Sequence, residues 1–455
     1  MKGHVPTPDG LVDEMVERLF DAGRPNPGDA ILDPGCGGGA FIAGVLRWCE
    51  ANRVPVPSIT GVELNPSLAA KARKRFAAYP SVNIVQADYL LSPAKTSYRF
   101  IIGNPPYVSL GNLGGDVQRD KYRKRFKSAR GRFDLYMLFF ERSIEELAPN
   151  GRLVFITPEK FLYVAAAKEL RRLMAEQTVV SSIHLAPEDA FPGFTTYPAI
   201  TTLDRGTAEP ASTDVRLRCG ATRKAQLPRD GEGWWPQMMG EQATTDGPLL
   251  GDVCVRVSAG VATGADDVYV QVMADLPKQL RAFAKPALAG RDLATGMPLP
   301  TPHRAILIPY GDSGELLANS ELGALGRHFA QASVKEALKR RTCAARKPWY
   351  AFHDNFPADI LRPKILFKDI TKEPFFWVDR TGDVIPLHSV YYIVPEREDQ
   401  LDALCEWLNG PEARRWLEAN CQRAANGFLR LQSSVLRKLP VPAHVLAHAP
   451  LRMAA

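Results

Sequence analysis

The chain has 455 residues, of which 45% are hydrophobic and 24% are charged, and it carries a net charge of +7. These values are typical of a globular protein with two or three domains, and they exclude a disordered or fibrous chain. The seven cysteines are scattered without a Cys-x-x-Cys pair, which argues against a disulfide framework or a zinc site.

The expected location follows from what the sequence lacks. No apolar run is long enough to cross a bilayer, and residues 1–6 contain no apolar signal segment. We therefore expect a cytoplasmic protein that makes no membrane contact. The mild excess of positive charge favours an anionic partner.

The first predicted helix covers residues 11–20, where apolar residues recur at helical spacing, with Thr7 or Asp9 as a candidate cap. A short strand at 30–32 then leads into the glycine-rich segment 33–41, of sequence DPGCGGGAF. Its four glycines allow the backbone to pass close to a ligand in front of a second helix. This feature alone is a weak signal, because dinucleotide-binding folds share it.

Three further strands at 59–63, 82–85 and 100–103 alternate with helices, which predicts a parallel sheet with right-handed crossovers. A carboxylate or amide side chain stands at or just beyond the C-terminal end of each strand. These residues are Asp33, Glu63, Asp88 and Asn104. Each acid alone is more simply a cap or turn residue, but all four in register mark the ligand-binding edge of an open α/β sheet. Glu63 is placed to accept from both hydroxyls of a ribose, and Asp88 from an adenine amino group.

The fourth strand runs into the turn Asn104-Pro105-Pro106-Tyr107. Two consecutive prolines fix the backbone and remove two N–H donors. The Asn104 side-chain oxygen and the Pro105 carbonyl can then accept hydrogen bonds from an exocyclic amino group, while Tyr107 stacks on the ring that carries it. A plain proline turn with an aromatic plug is the alternative if the turn is taken alone.

The glycine segment 33–41 with Glu63, Asp88 and the turn 104–107 resembles the S-adenosylmethionine-dependent adenine-N6 DNA methyltransferases. The order, with a Thr-Pro helix first and most of the extra chain last, resembles the gamma class typified by TaqI methyltransferase. Gly35 and Gly38 depart from the alanine and serine common there. The resemblance implies an α/β class I methyltransferase domain, Rossmann-like, with a mostly parallel seven-stranded sheet, and S-adenosylmethionine as cofactor without a metal.

The resemblance also implies roles for individual residues. Asn104, Pro105 and Tyr107 would be catalytic, and Phe191 would pack on a flipped adenine opposite Tyr107. A plain core aromatic is an equally good interpretation of Phe191. The predicted cofactor-binding residues are Thr7, Asp33, Gly35, Gly37, Glu63, Asp88 and Tyr89.

A basic run covers residues 119–132, with eight Lys or Arg residues against one acid, Asp120. Glycines at 111, 114, 115 and 131 flank or interrupt it, which favours a mobile loop over a packed helix. We expect this loop to close on DNA phosphates through side chains that include Lys121, Arg123, Lys124 and Arg125. A solvated surface is the alternative.

Three regions follow from the change in composition along the chain. We predict a catalytic domain at 1–205, an inter-domain passage at 206–248 with little periodicity, and a mixed α+β target-recognition domain at 249–455. Segments 255–270, 285–293 and 363–367 resemble the TaqI-type specificity domain.

The resemblance implies a monomer that binds double-stranded DNA, flips an adenine out of the duplex and methylates its N6. Its place would be the modification enzyme of a restriction–modification or related defence system, with a cognate endonuclease encoded separately. One alternative is an N-methyltransferase of protein glutamine or RNA adenine, since these also use Asn-Pro-Pro-Tyr. The other is a silent DNA-binding subunit. The large second domain weighs against the first, and the intact motifs weigh against the second.

Overall fold

The computed structural model describes residues 6–93, 97–112, 115–194, 196–206, 212–240, 247–424 and 428–447. The chain divides into two compact units, Met1–Gln242 and Ala243–Ala455. Within the described ranges, no helix is long and apolar enough to span a membrane.

The first unit is built on a mixed sheet that has nine strands in the described residues, in the order β3-β2-β1-β4-β5-β7-β6-β8-β9. The strands are β1 (Ala30–Pro34), β2 (Ser58–Glu63), β3 (Val82–Gln86), β4 (Tyr98–Gly103), β5 (Leu147–Pro158), β6 (Thr178–Leu185), β7 (Pro198–Arg205), β8 (Thr213–Arg216) and β9 (Thr222–Ala225). Strands β1 to β5 pair in parallel, as predicted. Strand β7 is antiparallel to both β5 and β6.

Helices cover both faces of this sheet. They are α1 (Asp9–Phe20), α2 (Ala40–Asn52), α3 (Pro66–Arg75), α4 (Gly115–Arg125), α5 (Leu135–Glu146), α6 (Lys168–Gln177) and α7 (Trp235–Met239). The predicted first helix forms with its apolar side buried, but no side chain caps its start. Alternate residues of the central strands enter opposite cores: Phe100 packs with α1 and α2, whereas Ile101 packs with α5 and α6.

Of the predicted inter-domain passage, residues 212–240 belong to the first unit instead, whereas residues 247–248 belong to the second. Strand β8 pairs in parallel with β6, and β9 pairs with β8, so the sheet is larger than the seven strands expected. Trp234 and Trp235 are buried in the core beside α6. Sequence periodicity missed these strands because four residues are too few to show an alternating pattern.

The basic run is also different from its prediction. Residues 115–125 form helix α4, with Tyr122 buried, and the following turn buries Phe126, Ser128 and Ala129. The expected mobile loop was therefore wrong for the described part of this segment. Apolar residues inside the run anchor it to the core. The prediction of a mobile loop considered the charges and glycines of the run and not these apolar residues.

The second unit is a mixed α+β structure with two four-stranded sheets and one three-stranded sheet in its described residues. Its strands are β10 (Cys254–Ala259), β11 (Val270–Val272), β12 (Ala284–Leu288), β13 (Arg304–Leu307), β14 (Lys364–Lys368), β15 (Ile370–Thr371), β16 (Phe376–Asp379), β17 (Ile385–Pro386), β18 (Val390–Pro395), β19 (Gln422–Ala424) and β20 (Phe428–Arg430). Its helices are α8 (Asp266–Tyr269), α9 (Gly323–Phe329), α10 (Ala332–Lys339), α11 (Leu401–Leu408), α12 (Pro411–Asn420), α13 (Ser433–Leu436) and α14 (Ala443–Leu446). A buried ion pair between Lys364 and Asp379, 2.7 Å apart, joins β14 to β16.

Candidate active site

A cavity of about 580 Å³ lies at the C-terminal ends of β1, β2 and β4 in the first unit. This volume is within the range of small-molecule sites. The structure brings most of the predicted cofactor-binding residues to its wall, together with the amide of the proline turn. These residues are Thr7, Gly35, Gly37, Glu63, Asp88, Tyr89 and Asn104.

The glycine segment forms one side of the cavity. Gly35, Gly37 and Gly39 have φ values of 132°, 52° and 78°, which L side chains rarely adopt. A Cβ on Gly39 would also lie 2.3 Å from the ring of Phe76. The backbone can therefore follow this path only with glycine at these positions, and it leaves open space beside the loop for a ligand.

Glu63 ends β2 and is held in place from two directions. Its carboxylate accepts hydrogen bonds from the backbone N–H of Gly37 at 2.9 Å and of Asn65 at 2.7 Å. Each carboxylate oxygen has a second lone pair, so the group can also accept from a diol in the cavity. The side chain is 7% exposed, which removes most competition from water.

Asp33 is not among the residues that line the cavity, contrary to its predicted direct role. It lies beneath the glycine loop, is 1% exposed, and neither carboxyl oxygen has a hydrogen-bond partner among the described residues. Burial, followed by the nearby charge of Glu63, raises the pKa of Asp33 well above its ordinary value. The structure therefore places Asp33 beneath the glycine loop and away from direct contact with a ligand in the cavity.

The wall that carries Asp88 and Tyr89 is supported by helix α5. The Tyr89 hydroxyl donates to the Glu146 carboxylate at 2.9 Å and lies 3.0 Å from the Ser143 hydroxyl. Arg142 pairs with Glu146 at 2.9 Å, and all four side chains are buried. This network was not predicted from the sequence. The one feature of the sequence that indicated it was the pair Arg142 and Glu146, four residues apart in a mostly apolar helix.

Helix α4 supplies another wall through Gln118 and Tyr122, which are hydrogen-bonded to each other at 2.9 Å. Neither residue was predicted. The predicted DNA contacts are exposed on the same helix: Lys121, Arg123, Lys124 and Arg125. Arg123 approaches Asp120 of the same helix at 4.0 Å, and Arg125 pairs with Glu145 of α5 at 2.5 Å.

The proline turn follows β4 at the inner end of the cavity. The Asn104 side-chain amide donates to the Thr7 hydroxyl at 3.1 Å, which ties the turn to the segment before α1. Tyr107 and Pro105 do not line the cavity. The Tyr107 hydroxyl contacts the Ile156 carbonyl at 3.5 Å, and burial raises the pKa of Tyr107, so its phenol is protonated at neutral pH.

Phe191 does lie beside Tyr107, but not as a parallel stacking partner. The ring centroids are 6.4 Å apart and the rings are perpendicular, at 89°. Phe191 is 1% exposed and packs in the core with α1 and α2. Because the two rings are perpendicular in this structure, the predicted parallel sandwich for a flat base is not formed.

Comparisons with known proteins show similarity to methyltransferases of restriction-modification systems. Residues 61–191 match the family model described as Eco57I restriction-modification methylase. Type II methyltransferase M.PaeR7I of Pseudomonas aeruginosa is 26% identical over 99% of this chain and 88% of its own length. Type II methyltransferase M.XhoI of Xanthomonas vasicola is 28% identical over 79% of this chain and 71% of its own. The Type IIL restriction-modification enzyme MmeI, solved in complex with DNA, superposes with a TM-score of 0.64 at 13% identity, over 95% of this chain and 64% of that chain.

The fold and the cavity define a class I S-adenosylmethionine-dependent methyltransferase with an additional unit, so the predicted fold class and cofactor are confirmed. The segment that matches the Eco57I restriction-modification methylase model runs from β2 through the proline turn to Phe191. The residues present fit the cofactor: the Glu63 carboxylate, held at the cavity wall by two backbone N–H groups, can accept from the hydroxyls of a ribose.

Proposed function

We propose that this chain methylates N6 of adenine in double-stranded DNA, as the modification enzyme of a restriction–modification system. The observation that carries the proposal is the position of Asn104, directly after β4, on the wall of the cofactor cavity. A side-chain amide there can hold an exocyclic amino group against the methyl donor. The names of the similar Type II methyltransferases and the order of the motifs support DNA adenine as the target.

The cofactor side of the mechanism rests on residues already held in place. We assign Glu63 to the ribose hydroxyls, Asp88 to the adenine amino group of the cofactor, and Tyr89 to the wall beside that adenine. Thr7 serves both sides, because it lines the cavity and accepts a hydrogen bond from Asn104. Bound S-adenosylmethionine supplies a methyl group on a sulfonium, which is a good leaving group without metal assistance.

The chemical difficulty is the nucleophile, because the N6 lone pair of adenine is delocalised into the ring. Hydrogen bonds from N6 to the Asn104 side-chain oxygen and the Pro105 carbonyl favour a more tetrahedral, electron-rich nitrogen. This nitrogen would then be the atom that receives the methyl group, and its proton would be released to solvent after the transfer. Apolar lining residues, including Pro106, Val108 and Phe139, exclude water from this path.

The substrate side requires a long anionic polymer. Helix α4 exposes Lys121 and Lys124 beside the cavity, and we assign them to DNA phosphates together with the partly paired Arg123 and Arg125. We assign recognition of the target sequence to the second unit, whose extent of about 200 residues exceeds what a peptide amide or a single base would require. The protein would act as a monomer on DNA, with its endonuclease partner on another chain.

The test is expression of this chain alone in a host without DNA methylation, followed by base-resolution mapping of modified bases. We expect N6-methyladenine in one sequence context, and none with the Asn104→Ala variant. N4-methylcytosine instead would overturn the assignment of adenine. Methylated protein glutamine or RNA, with unmodified DNA, would favour the alternative substrates of the same turn.

A further inference from the structure

A second concave site lies in the first unit, apart from the cofactor cavity. Four cations, Lys127, Arg130, Lys168 and Arg172, surround a floor formed by Ala165 and Ala166. One acid, Glu169, also lines it. We call this site the basic cleft. Its two walls come from segments about 40 residues apart, so the sequence shows only half of it, as part of the basic run.

The first wall is a turn with a fixed backbone. Glu141, on α5 and 2% exposed, accepts hydrogen bonds from the backbone N–H of Lys127 at 2.9 Å and of Ser128 at 2.8 Å, and from the Ser128 hydroxyl at 2.5 Å. Gly131, with φ of 54°, brings the end of the turn against Ala166. Lys127 and Arg130 therefore project their exposed side chains from a rigid support.

The second wall is equally well supported. Arg171, buried at the start of α6, donates to the carbonyls of Phe161, Val164 and Gly231. These bonds hold the segment that precedes α6 and thereby place Lys168 and Arg172 on the other side of the cleft.

The charges in the basic cleft are only partly compensated. Lys168 pairs with Glu232 at 2.8 Å, and Arg172 approaches Glu169 at 3.5 Å and Glu176 at 3.4 Å. Lys127 and Arg130 have no ionic partner in the part of the chain that the structure describes. Cations held together in a concave surface without enough acids create a positive potential that an anion relieves.

The position of the cleft links it to the proposed target site. The basic turn leads directly into residues 133–135, which bond to residues 108–110: the Leu135 N–H donates to the Val108 carbonyl at 2.9 Å, and the Leu110 N–H to the Phe133 carbonyl at 3.3 Å. Residues 108–110 in turn follow Tyr107 of the proline turn. The turn that carries Lys127 and Arg130 is thus connected, through residues 133–135, to the segment that follows the proline turn.

We propose that the basic cleft binds a phosphodiester of the DNA backbone, with Lys127 and Arg130 as the contacting cations. This inference rests on the proposed DNA methyltransferase function and adds to it a phosphate contact outside α4. Phosphate contacts orient a duplex without reading its sequence. The cleft therefore anchors the strand while the second unit selects the site.

The experiment measures binding of a mixed-sequence duplex over a range of salt concentrations for wild type and for Lys127→Gln/Arg130→Gln. We expect weaker binding and a slope of log K against log salt that is smaller by about 0.9 for each lost contact, or about 1.8 for the pair. The matched control is Arg24→Gln/Lys74→Gln, which removes the same charge at exposed positions just before β1 and near the end of α3. Its slope should equal that of wild type.

The outcomes separate the cleft from the general function. If the salt dependence of log K decreases equally in the cleft variant and in the control, net charge explains the effect, and the proposal that the basic cleft binds a phosphodiester is overturned. The cleft is also overturned if the variant keeps the wild-type slope while wild type methylates DNA. If wild type neither binds nor methylates duplex DNA, the proposed function itself fails. Cofactor affinity and thermal stability, measured in parallel, should be unchanged in both variants.

Discussion

The two sides of the proposed active site differ in how completely they are formed. On the cofactor side, Glu63 and Tyr89 are each held by two contacts around an open cavity. On the proposed target side, the rings of Tyr107 and Phe191 are perpendicular, with centroids 6.4 Å apart. The difference indicates that the cofactor site is preformed, whereas under the proposed function the two aromatic rings would have to change orientation to sandwich a flipped base.

The largest effect is expected from Asn104→Ala, because Asn104 lines the cofactor cavity and is also assigned to the amino group of the target base. Loss of the amide should remove the acceptor for N6 and lower methyl transfer by at least about 100-fold, comparable to the loss of one donor from an oxyanion hole. Cofactor affinity should change little, as measured by calorimetry. Asn83→Ala, at an exposed position of β3, is the folding control. Near-normal turnover of Asn104→Ala would contradict the mechanism.

Glu63→Ala tests whether the cofactor side is truly preformed. The variant loses the ribose acceptor and also releases the N–H groups of Gly37 and Asn65. We expect the affinity for S-adenosylmethionine to fall by about 1.5–3 kcal/mol, the contribution of a hydrogen bond to a charged group. Calorimetry measures this directly, with Glu50→Ala on the exposed surface of α2 as a matched control. Equal affinity in variant and wild type would remove Glu63 from the site.

Tyr107→Ala tests the target side. Removal of the ring should weaken capture of the flipped base by roughly 1–3 kcal/mol, the contribution of stacking one base on an aromatic side chain. A duplex with a mismatch at the target base should recover part of the loss, because less energy is needed to unpair that base. The measurements are the Michaelis constants for paired and mismatched duplexes. An increase only in the Michaelis constant for the cofactor would contradict the assignment of Tyr107 to the target base.

Asp33→Asn gives the smallest effect and reports on electrostatics beneath the glycine loop. The pKa of Asp33 is higher in the folded state than its unfolded value of 3.8. The stability that Asp33 contributes is therefore fully present below pH 3.8 and is lost as the pH rises through the pKa of the folded state. Without cofactor, Asp33→Asn should therefore be more stable than wild type, by a margin that grows above pH 4. Denaturant titrations at several pH values measure this. A variant less stable at every pH would contradict the assigned burial cost.

The same comparison explains which parts of the site were predictable from sequence. Glu63, Asp88 and Asn104 were placed correctly on the cavity because strand ends in a parallel sheet share one edge. Asp33 also lies at a strand end, as predicted, but its side chain is buried under the glycine loop. The sequence of a strand does not reveal how deeply its last side chain is buried. The Glu146–Tyr89 contact joins residues 57 positions apart, and no local pattern relates them.

Local spacing and backbone conformation were enough to predict the alternation of strands and helices and the positions of the glycine loop and the proline turn. Tertiary packing was needed to establish that β8 and β9 extend the first sheet, that the basic run begins as helix α4, and that Phe191 packs edge-on against Tyr107. It also joined Lys127 and Arg130 to Lys168 and Arg172. Such contacts depend on which surfaces meet after folding, and free energy from packing outweighs the weak local preferences of short segments.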